Sequence, residues 1–328
     1  MKYVFVAAAA ALAAGPAVSQ ATPDACALAA SEPTLIWYSS QDPSRNRAVA
    51  DAFGAVYPSI TLEHFRLATG ALATRYAQER AAGVINADVI SLADPNFIVQ
   101  GAQGGWFIPL TTNSIPELSG LDSSWLQDGA ITSSISMLGF AYNVDEVGDA
   151  PPQSWQDLLD PKYAGRMIMG DPRTIPSYMA LFRILREELG EDFLTKLAAQ
   201  KPVIVPSVVP ATQQLAAGEV SIVFPNVMTV VRVLRDEGAP IDFIAPELTT
   251  GNEFQTVVSA GADSPNAAMC FVSFLMSEAG QVAYNGPTSV SPFPGIPETA
   301  VMPTSYIAPR ILELDAHSAM IVRELGLE

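Results

Sequence analysis

The sequence predicts an α/β protein of two lobes, and three observations carry that reading. Short β-rich runs alternate with amphipathic helical stretches along most of the chain, and each strand passes into its helix through a turn containing Ser, Thr, Gly or Asp-Pro. The chain is 49% hydrophobic and only 16% charged, with many Ala, Val and Ile residues, as suits parallel strands covered on both faces. Its 328 residues are enough for two compact units with separate cores.

The elements follow in order. Lys2, the apolar run from Val4 to Ala14 and then Gly15-Pro16 have the order of a signal peptide, with small residues placed for cleavage after Ser19 or after Ala21. The run is too short for a membrane span, and Thr22-Pro23-Asp24-Ala25 before Cys26 is no lipid-attachment motif. Residues 1–21 are therefore expected to be removed, leaving a soluble, exported chain made slightly more acidic by the loss of Lys2. Thr34 to Ser39 is a first strand. Asp42 can cap a helix that begins at Pro43 and carries Val49, Ala50, Phe53 and Val56 at helical spacing. Ile60 to Leu67 is a second strand, Thr69-Gly70 opens a helix that runs through Arg80, Ala87 to Leu92 is a third strand, and Asp94-Pro95 repeats the Asp-Pro helix start.

An extended crossing segment, Ile131 to Asn143, leads into a second run of the same theme. Trp155 to Leu159 reads as a short helix and Arg166 to Met169 as a strand. Residues 170–177 then enter a long amphipathic helix with Met179, Leu181, Phe182, Leu185 and Leu189. Val203 to Val205, Ala211 to Ala217 and Ser221 to Phe224 continue as strand, helix and strand. Thr256 to Ala260 is a return segment, and a helix near 266–276 is expected to pack back on the first lobe. A proline-rich tail, Pro292 to Pro309, precedes a terminal helix around 311–325. The expected division is lobe one at 22–135 plus 250–328 and lobe two at 136–249, with the terminal helix free to join either.

Composition excludes several functions. With 34 acidic against 17 basic residues, a formal charge of −17 and a pI near 4.4, the chain has no electrostatic basis for gripping a phosphate backbone. There is no Gly-x-Ser-x-Gly elbow and no phosphate-binding Gly-x-x-x-x-Gly-Lys-Ser/Thr loop. His64 and His317 stand alone and no Cys-x-x-Cys occurs, so no metal site, cofactor or enzyme activity is expected; an exported α/β enzyme is the weaker alternative. Cys26 and Cys270 are an even pair in an oxidising compartment. One disulfide is the economical reading, with an inert buried thiol at Cys270 as its rival.

In open α/β sheets, ligands bind beyond the carboxyl ends of the strands, where helix N-termini offer unpaired N–H groups. By that rule Ser39, Ser40, Thr69, Gly70, Ala71 and Asp94 face the crevice from lobe one. Arg173, Thr174, Ser177, Phe224 and Asn226 face it from lobe two, with Tyr142 on the crossing segment. Each has a second reading. Ser, Thr and Asp before a helix also serve as caps, Arg173 as half of a surface ion pair, and Tyr142 as a buried ring with a satisfied hydroxyl. Trp37 reads as core.

The leader, the opening TLIWYSSQDP, the stretch TGALATRYAQERAAGVINADVI, the segment GFAYNVDEVGDAPPQSWQDLLDPKYAGRMIMGDP, and AAGEVSIVF with GAPIDFIAPE resemble extracellular solute-binding proteins of ABC importers. The resemblance is to the class II group that takes ferric ion, thiamine, phosphonates and sugar phosphates. It implies two lobes joined by a two-strand hinge, a monomer that closes on a small-molecule solute, and delivery to an ABC permease in the inner membrane. Ferric-binding members carry adjacent tyrosines where this chain has Phe224-Pro225-Asn226. A phenolate-type iron site is therefore not expected, and a small anionic organic solute is favoured: a phosphonate, phosphate ester or carboxylate. Ferric ion and a polyamine remain alternatives, the latter with Asp94, Tyr142 and Phe224 as its candidate contacts.

Overall fold

Residues 25–32 and 34–328 are described by a computed structural model; the leader and both expected cleavage positions lie outside the described residues. The chain opens with α1 (Ala25–Leu28), β1 (Thr34–Ser39), α2 (Pro43–Val56), β2 (Thr61–Arg66), α3 (Thr69–Ala81), β3 (Val89–Leu92) and α4 (Pro95–Gln103). The Asp-Pro starts form for the reason read from sequence: Asp42 accepts from the Ser44 N–H and Asp94 from the Phe97 N–H, while each proline takes the first helical position. Strands β2, β1 and β3 pair in parallel. After the short β4 (Phe107–Ile108) and β5 (Leu126–Gln127) comes β6 (Ala130–Asn143), whose fourteen residues are all buried.

The second half continues with α5 (Val144–Val147), β7 (Met167–Gly170), α6 (Pro176–Leu189), α7 (Phe193–Ala199), β8 (Val203–Val205), α8 (Val208–Ala216), β9 (Ile222–Val227), α9 (Met228–Asp236) and β10 (Ile241–Ile244). Here β9, β7 and β8 pair in parallel. The return is made by β11 (Leu248–Thr249) and β12 (Gly251–Ser259). Then come α10 (Pro265–Met276), α11 (Glu278–Asn285), β13 (Ser305–Tyr306) and α12 (Asp315–Glu324). The return strand is longer than the Thr256–Ala260 segment read from sequence, because its first residues pair with β6 through the crossing.

Register shows how the two halves face each other. β12 runs from the crossing into lobe one antiparallel to β3, with Leu92 opposite Gln255 and Val89 opposite Val258, so β3 ends toward the crossing. β6 runs into lobe two antiparallel to β9, with Val227 opposite Leu138 and Ile222 opposite Tyr142, so β9 also ends toward the crossing. The carboxyl ends of both parallel sets are thereby turned toward one another. Glycines let β6 meet its neighbours closely: a Cβ at Gly139 would collide with the Ile244 carbonyl of β10, and one at Gly251 on β12 would lie 2.9 Å from the Ser136 carbonyl oxygen.

Two main cores stand on either side. In lobe one Trp37, Phe53, Phe271 and Tyr284 pack α2, α10 and α11 on β1. In lobe two Phe140, Trp155, Met169, Phe182 and Phe224 fill the space under α6. The terminal helix joins lobe two, where Ile321 and Leu325 enter the same core and Glu324 meets Arg186 at 2.9 Å. Since α10 and α11 belong to lobe one, the tail before α12 crosses between lobes a third time. Its Tyr306 hydroxyl donates to Glu253 on the hinge at 2.6 Å. Cys26 and Cys270 are bonded, with Cα atoms 4.8 Å apart, so α1 is tied to α10. No helix among the described residues is long and apolar enough to cross a membrane.

Candidate functional site

Six helices start where a parallel strand has just ended, and their N-termini fall into two kinds. Helices α2, α4 and α8 are closed by their own caps, Asp42, Asp94 and Ser207. Helices α3, α6 and α9 begin after Ala68, Ile175 and Val227, none of which bonds the first turn through its side chain. The first N–H groups of a helix have no partner within it, and the helix dipole makes that end positive. One open terminus thus belongs to lobe one and two belong to lobe two, all at the strand ends that face the crossing.

On lobe one the structure brings Thr69 to Ser40, with the Thr69 hydroxyl donating to Ser40 Oγ at 3.0 Å. Gly70 and Ala71 follow on the exposed first turn of α3, and a Cβ at Gly70 would meet open space. Gln41, which the sequence reading passed over, is buried beside them and donates to Ser134 on β6 at 3.0 Å. On lobe two Ser177 lies in the first turn of α6, buried, and its hydroxyl has no hydrogen-bond partner. A buried hydroxyl left unpaired costs free energy, which a polar solute atom at that turn would recover.

Other expected contacts are committed elsewhere. Ser39 is fully buried; its hydroxyl donates to Asn46 at 2.8 Å and accepts from the Gln41 N–H. Asp94 is a helix cap and borders a groove formed by α3 and α4 of lobe one alone. Tyr142 lies about 13 Å along β6 from Leu138, by four residues of strand rise, at the starting end of β9 rather than its carboxyl end. Phe224 is fully buried in the lobe-two core, where it offers no face to a solute. Asn226 is buried, donates to Thr212 at 3.0 Å and accepts from the Val227 N–H. The Thr174 hydroxyl closes its own turn on the Asp171 carbonyl at 2.7 Å.

Arg173 is engaged within its own lobe. Its guanidinium is forked onto the Asp171 carboxylate, with Nη2 2.6 Å from Oδ2 and Nε 2.9 Å from Oδ1, while Nη1 donates to the Leu327 carbonyl at 2.6 Å. That fork holds the Asp171 carboxyl below the usual carboxylate range. The residue is therefore the surface ion pair of its alternative reading, and it also docks the chain end. We expect Arg173→Ala to change solute affinity less than twofold while loosening α12, seen as faster amide exchange there. A tenfold loss by calorimetry with the co-purified solute would restore the guanidinium to the site.

Two arginines at these strand ends escaped the sequence reading. Arg45 is in the first turn of α2 and Arg232 is in α9. Burial, and then the charge of Arg232, depress the Arg45 guanidinium's pKa. The signal was present: a cation in the first turn of a helix opposes the dipole, and nothing acidic accompanies it within that turn. Among the described residues no three His, Cys, Asp or Glu side chains gather where a metal ion could sit.

Comparison with known proteins places the fold. The profile of a family described as bacterial extracellular solute-binding protein matches residues 85–305. A protein of Haemophilus influenzae with no assigned function is 29% identical over 164 residues, 47% of each chain, so the match spans about half the length of that relative. Iron-bound HitA from Pseudomonas aeruginosa superposes with a TM-score of 0.68 at 21% identity, over 90% of this chain and 99% of that one. AfuA from Actinobacillus pleuropneumoniae, with exogenous fructose-6-phosphate bound, gives 0.64 at 20% identity over 90% and 99%. The substrate-binding protein of an ABC transporter from Agrobacterium tumefaciens gives 0.72 at 16% over 90% and 94%. These likenesses establish the class II periplasmic binding protein fold, two α/β lobes on a two-strand hinge.

Proposed function

We propose, from the premise that the chain belongs to the bacterial extracellular solute-binding protein family, that it is the exported solute-binding component of an ABC importer. It closes two lobes on a small anionic organic solute, a phosphonate, phosphate ester or carboxylate, and delivers it to a membrane permease. The observation that carries the reading is the set of three uncapped helix N-termini, α3 on one lobe and α6 and α9 on the other, at opposed strand ends. Their positive ends and free N–H groups, on α6 that of Ser177 because Pro176 has none and Tyr178 and Met179 donate to the Ile175 carbonyl, suit oxyanions without any side-chain cation. Thr69, Gly70 and Ala71 hold the solute from lobe one and Ser177 from lobe two; Ser40 orients Thr69. Phe224-Pro225-Asn226 at the end of β9 supplies no phenolate, which separates this cleft from a tyrosinate iron site.

Closure follows from the split of contacts. A ligand shifts an open–closed balance only by its differential affinity for the two states, and here the full set of N–H donors is available only when the lobes meet. The test is mass spectrometry of the solute that co-purifies with the exported protein, followed by thermal shift with phosphonates, phosphate esters, organic acids, polyamines and ferric salts. An anion present at a hundred times its Kd should stabilise the fold by about 2.7 kcal/mol, several degrees in Tm. Shifts confined to amines or ferric salts would reject the anion reading, and turnover without tight binding would reject a binding protein.

A further inference from the structure

We propose that Arg45 of lobe one and Arg232 of lobe two hold one anionic group of the solute between them, making closure conditional on that negative charge. The inference rests on the cleft being the solute site and names the residues that read the solute's charge. Arg45 is the third residue of α2, the helix that follows β1, and Arg232 is the fifth residue of α9, the helix that follows β9, where its Nε donates to Asp236 at 3.1 Å. Register turns those two strand ends toward each other across the hinge.

Arg45 is half-buried against the backbone of Gly286, where any side chain would collide with its guanidinium. Its guanidinium has neither a hydrogen-bond acceptor nor a carboxylate within ion-pair distance among the described residues. Other half-buried or buried arginines there do have acceptors: Glu79 for Arg75, the Ala260 carbonyl for Arg80, the Pro309 carbonyl for Arg183, Glu324 for Arg186 and Asp236 for Arg232. Asp42, whose charge acts on Arg45, is occupied capping its own helix through Ser44.

Arg45 therefore carries three unfavourable features at once: partial burial, a place at the positive end of α2, and the field of Arg232. Bringing two guanidiniums together raises their mutual energy as the inverse of distance, so the empty cleft resists closing. An anion between them reverses the sign of both interactions: Arg45 can fork onto its oxygens, and Arg232, whose Nε donates to Asp236, has its Nη groups left to add. A neutral solute could use the helix N-termini but would leave the repulsion in place. The pair thus selects for charge and couples that selection to lobe movement.

The test uses the full mature chain with spin labels on exposed positions of the two lobes, and inter-lobe distances are read with and without inorganic phosphate. In the parent, phosphate should shorten the distance. Arg45→Gln and Arg232→Gln should each raise the closed population without phosphate and need at least tenfold more phosphate to respond, whereas Arg45→Lys should keep the dependence in weaker form. Thermal unfolding of each variant verifies that it is folded. If the Gln variants respond to phosphate as the parent does, or remain as open without it, the charge gate is wrong. The co-purified solute separates the two readings: closing parent and Gln variants with equal affinity overturns the gate and leaves the binding protein intact. If neither that solute nor phosphate closes the parent, the solute site itself is overturned and the gate with it.

Discussion

Phe224→Ala is expected to lower the unfolding free energy by about 3–5 kcal/mol, the range for emptying a buried aromatic position. The ring is fully buried among the side chains of lobe two, on a strand whose neighbours carry Ala141 and Met169. No rearrangement of a surface loop can refill such a space, so the cavity term adds to the lost transfer energy. Phe224→Leu, which keeps most of the volume, should cost less than half as much. Urea unfolding followed by fluorescence measures both, and solute affinity of the folded fraction should stay within about twofold. An unchanged midpoint together with weakened binding would return Phe224 to the cleft.

Removing the Cys26–Cys270 bond should cost about 2–5 kcal/mol, the range for native bridges in small secreted domains. The bond spans 244 residues of sequence, so the loop it closes in the unfolded chain is most of its length. It is not the sole tie between the N-terminal segment and α10. Glu32 accepts from Asn266 at 2.6 Å and from the Ala267 N–H at 2.8 Å, capping α10 from outside, and Ala29 is buried in the same core. The double Cys26→Ser/Cys270→Ser variant should therefore unfold at lower denaturant while keeping its circular dichroism and solute affinity. The parent treated with reductant should follow it. Equal midpoints for parent and variant would show that the outside cap and Ala29 hold the segment without the bond.

The legible part of this protein was its local order. Strands buried on both faces leave near-continuous apolar runs, and TLIWYS, VISL and the fourteen-residue crossing strand stand out for that reason. Asp-Pro announces a helix start because the cap and the fixed φ act within three residues. Helices α7, α9 and α11 and strand β10 are not legible in the sequence: each is short, and its place is set by what it packs on.

The site divides in the same way. Sequence by itself placed Ser, Thr, Gly and Arg residues at the strand ends, since chain order alone decides which residues follow a strand. Only the tertiary structure decided which of them were spent. Ser39 found Asn46 seven residues on, Asn226 found Thr212, and Arg173 found both Asp171 and a carbonyl 154 residues away. Antiparallel register put Tyr142 opposite the first residue of β9, and the terminal helix took lobe two because Ile321 and Leu325 fit the core there. Arg45 and Arg232 stand on helices that follow β1 and β9, and only the apposition of those two strand ends lets one feel the other's charge. Local propensity acts over a few residues and is written in them, whereas register and lobe apposition are properties of the packed whole.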